Sequence, residues 1–233
     1  MNDPNAEARI ELLRKQIRAN PNDGGAWLNL ARVLAQGPPG KELFHAIEQS
    51  IVSRPGDQQV WMLAANVQQR LRGQDAALQW LEHTAEQNPT LAAPQLVLAS
   101  LKAVGDPAGA ISHCKRVIGR FARSDQAAVR QARSIRADCC RQGGLWEQAL
   151  DDYRVLESAT GKDPRLLNNI GCCLAGLERF DEAAPAVQSS SHLHRLDRVG
   201  HLLVGARTGA FLFGRPACHR RRDQRSSGPV AGR

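Results

Sequence analysis

A recurring spacing of 34 residues constrains the fold of this chain more than any other feature. Pro21, Pro55 and Pro89 follow one another at intervals of 34 residues, and Trp27 and Trp61 are separated by the same interval. A fixed period of about 20–50 residues is typical of arrays that stack one repeated supersecondary unit. The spacing therefore predicts a repeat architecture.

Small and aliphatic residues recur in register with this period. We place the units at 24–57, 58–91, 92–129, 130–163 and 164–197. The third unit is about four residues too long, with the excess expected between residues 123 and 129. The eighth place of every unit holds a small residue, namely Ala31, Ala65, Ala99, Ala137 and Gly171. The twentieth place holds a small or aliphatic residue, namely Leu43, Ala77, Ile111, Ala149 and Ala183.

Turn residues divide each unit into two halves. Clusters such as 37–40 and 143–144 are rich in glycine or proline, which interrupt helices. Aromatic residues make up only 4% of the chain, so a core of Ala, Leu, Val and Ile is expected. Each unit is predicted to be a helix, a tight turn and a second helix, and residues 6–19 to be one further helix. The predicted fold class is all-α.

Several of these positions resemble the signature of the tetratricopeptide-repeat (TPR) family. Trp27, Leu30 and Ala31 match its start, and the segments 169–171 and 180–183 match it best in the later units. The resemblance covers about residues 6–187. It implies an α-solenoid, a right-handed superhelix of antiparallel helix pairs. The predicted repeat domain spans 1–187 with its last unit interrupted, because the repeat pattern stops after Val187. An atypical, Arg-rich and partly disordered tail is predicted at 188–233.

The resemblance also implies a binding groove, because TPR arrays line their concave face with the first helix of each unit. The corresponding places form a mixed polar surface, which suits an extended protein or peptide segment better than a small molecule. Two of these places hold Leu28 and Leu96. The predicted partner-binding residues are Arg32, Gln36, Asn66, Gln69, Arg70, Asp138, Arg141, Gln142 and Asn168.

Most of the excess positive charge lies in the tail. The chain carries a net charge of +8, yet residues 1–187 hold 22 Lys and Arg against 21 Asp and Glu. Two interpretations of 188–233 remain open: a tether with weak affinity for polyanions, or the product of a reading-frame change that replaced the rest of a longer protein. Neither predicts specific recognition of nucleic acid.

No motif of a known catalytic, nucleotide-binding or metal-binding site occurs in the sequence. The cysteines, including Cys139 and Cys173 at one place of consecutive units, are interpreted as small buried residues, and neither a cofactor nor a metal is expected. The chain opens without a signal-peptide pattern, and no apolar run is long enough for a membrane span.

The predicted function is a cytoplasmic, bacterial-type scaffold or adaptor for proteins, without enzymatic activity. The alternative is the N-terminal TPR region of a larger bacterial enzyme, of the sulfotransferase or glycosyltransferase type, whose catalytic domain is missing. That alternative follows from the resemblance alone.

Overall fold

Eleven α-helices follow one another in the computed structural model, which describes residues 4–161 and 163–193. No strand occurs in these ranges. The helices are α1 (Pro4–Ala19), α2 (Gly24–Leu34), α3 (Lys41–Ser53), α4 (Gln58–Arg72), α5 (Gln74–Gln87), α6 (Ala92–Lys102), α7 (Pro107–Phe121), α8 (Gln126–Gln142), α9 (Trp146–Thr160), α10 (Pro164–Gly176) and α11 (Phe180–Leu193).

Consecutive helices pack as pairs, and the pairs stack on one another. We call the first helix of each pair the A helix (α2, α4, α6, α8 and α10) and the second the B helix (α3, α5, α7, α9 and α11). Each A helix contacts its own B helix and the B helix before it. Helix α6 also contacts the A helices on either side of it, α4 and α8. The all-α prediction is confirmed, as is the additional helix at the start, α1.

The 34-residue spacing of Pro and Trp has a direct structural cause. The indole Nε1 of Trp27 donates a hydrogen bond to the carbonyl oxygen of Pro21 over 2.8 Å, and Trp61 does the same to Pro55 over 2.7 Å. Each tryptophan thereby ties the first turn of an A helix to the end of the preceding unit.

Aspartates begin most of the A helices. Asp23, Asp57, Asp125 and Asp163 are the N-cap residues of α2, α4, α8 and α10, and their carboxylates accept backbone N–H groups of the first turn. Such a cap satisfies donors that the helix itself leaves unpaired. The 34-residue period alone does not indicate this role.

The eighth place of each unit is the point where helices cross closely. Ala31, Ala65, Ala99 and Ala137 are at most 1% exposed. At Gly171 a Cβ atom would lie 2.5 Å from Cγ2 of Val187, so a larger residue there would force the side chain of Val187 to move. Small residues at this place allow helix axes to come within about 8–10 Å.

The extra residues of the third unit form helix rather than loop. Helix α8 begins at Gln126, four residues before the expected start of its unit, and is 17 residues long. The insertion is therefore one additional first turn, capped by Asp125.

At the other end, α11 runs to Leu193 and includes Pro185 in its interior. The rest of the predicted tail, 194–233, lies outside the described residues.

Candidate partner-binding groove

The predicted groove residues lie on A helices, except Gln36 in the turn that follows α2, and none of them is fully buried. Six are exposed: Arg32, Gln36, Asn66, Gln69, Arg70 and Gln142. Three are half-buried: Asp138, Arg141 and Asn168. The expectation fails at Leu28 and Leu96, which are 2% and 0% exposed and therefore belong to the interior.

The ninth place of the unit forms a polar row along the A helices. Arg32, Asn66 and Ser100 occupy it on α2, α4 and α6, and all three are exposed. Each follows directly after the buried alanine of the eighth place. Because α4 and α6 contact each other, the row belongs to one continuous surface of A helices.

Two predicted arginines make contacts within the array. Arg32 donates from Nη2 to Oε1 of Gln59 over 2.5 Å, which links α2 to the first turn of α4. Arg70 donates to the carbonyl oxygens of Ala35 and Gly37 at the end of α2, the second over 3.1 Å. A cation at a helix C-terminus satisfies free carbonyls and interacts favourably with the helix dipole. Both arginines thus help to set the angle between the first two A helices.

A reciprocal amide pair joins two A helices that are not neighbours. Gln58 on α4 and Gln131 on α8 exchange two side-chain hydrogen bonds of 2.7 Å each. Gln131 lies in the extended first part of α8, so the extra turn makes this bridge possible. The two glutamines also line a cavity of about 390 Å³ together with Ala93, Leu96 and Phe121.

The half-buried Asp138 is held by the neighbouring B helix. The hydroxyl group of Tyr153 on α9 donates to Oδ1 of Asp138 on α8 over 2.5 Å. Burial and this hydrogen bond raise the pKa of Tyr153, so its hydroxyl remains a donor at neutral pH. Beside them, Nε of Arg141 is buried without a hydrogen-bond partner in the described part of the chain.

A buried ion cluster between α8 and α9 escaped the sequence analysis. The carboxylate of Asp152 is 1% exposed and accepts hydrogen bonds from Arg133 over 2.6 Å and from Arg136 over 2.6 and 2.7 Å. The hydrogen bonds to Asp152 raise the pKa of Arg136. The sequence does contain an indication that Asp152 is buried. Asp152 lies three residues after Ala149 and four before Leu156, and both of these residues belong to the apolar stripe of the helix.

The described cysteines are free thiols in apolar surroundings. Cys114, Cys139, Cys140 and Cys173 are buried, and Cys172 is half-buried. Desolvation raises the pKa of Cys114 to about 12 and that of Cys173 to about 11, so both remain protonated at neutral pH. Among the described residues, no group of three or more His, Cys, Asp or Glu side chains could hold a metal ion.

Antiparallel helix pairs, stacked with small residues at their crossings, define the fold of a TPR array, and the comparisons with solved structures agree. The chain resembles the crystal structure of the MamA protein with a TM-score of 0.53 and 14% identity, covering 72% of this chain and 90% of that one. It resembles a tetratricopeptide repeat protein from Parabacteroides merdae with a TM-score of 0.50 and 14% identity, covering 86% and 78%.

At this level of identity the likeness concerns the fold alone. No family model and no curated protein sequence matches the chain. In the part of the chain that the structure describes, no helix is both long and apolar enough to cross a membrane.

Proposed function

We propose that this chain is a non-catalytic scaffold that holds an extended segment of another protein against the inner face of its A helices. The polar row at the ninth place carries the proposal. Arg32, Asn66 and Ser100 are exposed at one place of three successive A helices, while the preceding residue of each is buried. A surface on which similar side chains recur once in each unit of a rigid array suits the regular spacing of an extended peptide.

The side chains on this face offer both hydrogen-bond donors and acceptors. Asn66, Gln69 and Gln142 are exposed, and their side-chain amides make no hydrogen bond within the described residues. An amide can bond to either group of a peptide backbone, so these residues suit recognition of main chain more than of a particular charge. A reducing, cytoplasmic setting is part of the proposal, because the five described cysteines carry free thiols.

The test should leave the internal contacts of the array intact. Reversal of charge at Arg32 or Arg70 would also break contacts that link the helices. Reversal at Arg141 would place a carboxylate beside Asp138. We therefore place a photo-crosslinking amino acid at Asn66 or at Gln142. The matched control positions are Glu48 and Gln79, which are exposed on the B helices α3 and α5.

The expected result is a defined protein adduct from positions 66 and 142, and none from 48 and 79. The crosslinked peptides, identified by mass spectrometry, should come from one contiguous stretch of the partner. An adduct formed only from the B-helix positions would show that the groove assignment is mistaken.

A further inference from the structure

Helix α7 presents a run of positive side chains that the described part of the chain does not neutralise. We call Lys115, Arg116, Arg120 and Arg123 the α7 stripe; the first three lie on α7 and Arg123 follows just after its end. All four are exposed. None of them takes part in an ion pair within residues 4–161 and 163–193.

The helices on either side of the α7 stripe have the opposite charge. Helix α5 contains three acidic residues and neither Lys nor Arg. Helix α9 contains a single arginine and four acidic residues, of which Asp152 is buried and paired with arginines of α8. Its Ala149 and Leu150 belong to a core cluster against which Ile111 of α7 packs, so α9 and α7 are neighbours. The positive surface is therefore about one helix wide, roughly 10–12 Å.

An apolar cavity opens beside the stripe. Arg116 and Arg120 are one helical turn apart and therefore share a face. Both line a cavity of about 390 Å³ between α5 and α7. The remaining lining is mostly apolar, with Glu86 and Gln95 as its polar members: Ala85, Glu86, Pro89, Gln95 and Phe121.

We propose that the α7 stripe and this cavity bind an acidic segment of a partner protein, with an aromatic or large aliphatic side chain beside its carboxylates. The guanidinium groups of Arg116 and Arg120 would pair with carboxylates, for which arginine geometry is well suited. The apolar side chain would enter the cavity against Phe121 and Pro89.

The arrangement favours a protein segment over a nucleic acid or a membrane. A peptide can place its carboxylates along the single row of arginines and its apolar side chain beside Glu86 in the cavity. A polyanion wider than one helix would also meet the carboxylates of α5 and α9, which repel phosphate groups. The apolar lining also gives no advantage to a sugar–phosphate backbone. This surface lies on a B helix, so it is distinct from the A-helix groove and does not depend on the function proposed for that groove.

The test uses the full chain and a fluorescein-labelled peptide in which glutamates surround one phenylalanine. Binding is followed by fluorescence anisotropy at low salt and at about 150 mM salt. The test variant carries Arg116→Glu and Arg120→Glu. The matched control carries Lys15→Glu and Arg72→Glu, the same change in charge at exposed residues of α1 and α4. The Arg-rich segment 194–233 is present in every chain, so its contribution cancels.

We expect the test variant to bind the peptide roughly tenfold more weakly than the wild type, because like charges would then face each other. The control variant should stay within about twofold. Replacement of the phenylalanine by alanine in the peptide should weaken binding to the wild type several-fold, and more than it weakens binding to the test variant. Circular dichroism melts of all three chains should coincide.

Three results would overturn the proposal. The first is an equal loss of affinity in the test and control variants, which would indicate unspecific charge attraction. The second is no dependence on the phenylalanine. The third is a stripe-dependent preference for oligo(dT) or for phosphatidylserine vesicles over the peptide.

Discussion

The carboxylate of Asp152 on α9 receives both Nε and Nη2 of Arg136 on α8, at 2.6 and 2.7 Å. This bidentate contact is supplemented by Arg133. The side chain of Asp152 is fully buried, and those of the two arginines are about three-quarters buried. The contact fixes the second helix of the fourth unit against the first. Because all three side chains are charged, removal of any one of them would leave a buried charge without its partner and destabilise the array.

Substitution Asp152→Ala should therefore be strongly destabilising. It would leave two arginines without an acceptor in a largely desolvated place, and we expect a loss of about 3 kcal/mol in the free energy of unfolding. Asp151→Ala is the matched control, because Asp151 is the exposed neighbour on the same helix; its effect should be within about 0.5 kcal/mol. Urea titrations followed by circular dichroism measure both. Equal stability of the two variants would mean that the cluster contributes nothing.

The contrast between Asp152 and Ala137 shows what the sequence could predict. Ala137 stands at a place that is small in every unit, and a helix crossing is the only common reason for such a pattern. Its burial was therefore predictable from the period. Asp152 has no counterpart in the other units, and its partners lie 16 and 19 residues away on another helix. Such a contact depends on the orientation of two helices, which a period does not specify.

The same distinction applies to the exposure of the predicted groove places. Arg32, Asn66 and Ser100 recur at one place of the period, and all three are exposed. The period did not predict the burial of Leu28 and Leu96. Leu96 lies beside α8, a helix with an added first turn that no other unit has. The hydrogen bonds between Gln58 and Gln131 could not be predicted from the period either, because they depend on the added first turn of α8.

Charge introduced at the helix crossings should unfold the array. Ala65→Arg and Ala137→Arg would each place a long cation where the native side chain is at most 1% exposed. We expect a loss of about 4 kcal/mol or more in each case, from overpacking and from the buried charge. Ala159→Arg, at an exposed place near the end of α9, is the control and should melt like the wild type. Melting of Ala65→Arg at the wild-type temperature would show that the assigned register is wrong.

Stability should depend on pH through His113. This side chain is buried between α6 and α7, with Nδ1 at 2.7 Å from Oε1 of Gln95. Burial, together with the charges of Lys102 and Arg116, lowers the pKa of His113 in the folded state. Because the unfolded chain takes up the proton more readily, stability is unaffected above the unfolded pKa of about 6.5 and falls as the pH drops below it.

The variant His113→Gln isolates this contribution. Its stability should fall less than that of the wild type when the pH is lowered from 7 to 5, in urea titrations at several pH values. Between pH 7 and 8 the two chains should show the same slope, which serves as the internal control. An unchanged difference between the chains over the whole range would contradict the assignment to His113.

The last prediction concerns the contact of α10 with α11 and uses a double-mutant cycle. A Cβ at position 171 would meet Cγ2 of Val187 at 2.5 Å, so Gly171→Ala should destabilise the array by about 1–3 kcal/mol despite the better helix propensity of alanine. Val187→Ala removes the clashing methyl groups at the expense of a buried contact. In the Val187→Ala background, Gly171→Ala should therefore lower the free energy of unfolding much less. If only the helix propensity of alanine remains, Gly171→Ala should be stabilising there. Urea unfolding of the four chains gives the coupling energy directly. Additive effects of the two substitutions would mean that the close approach of these helices is not what requires glycine at this place.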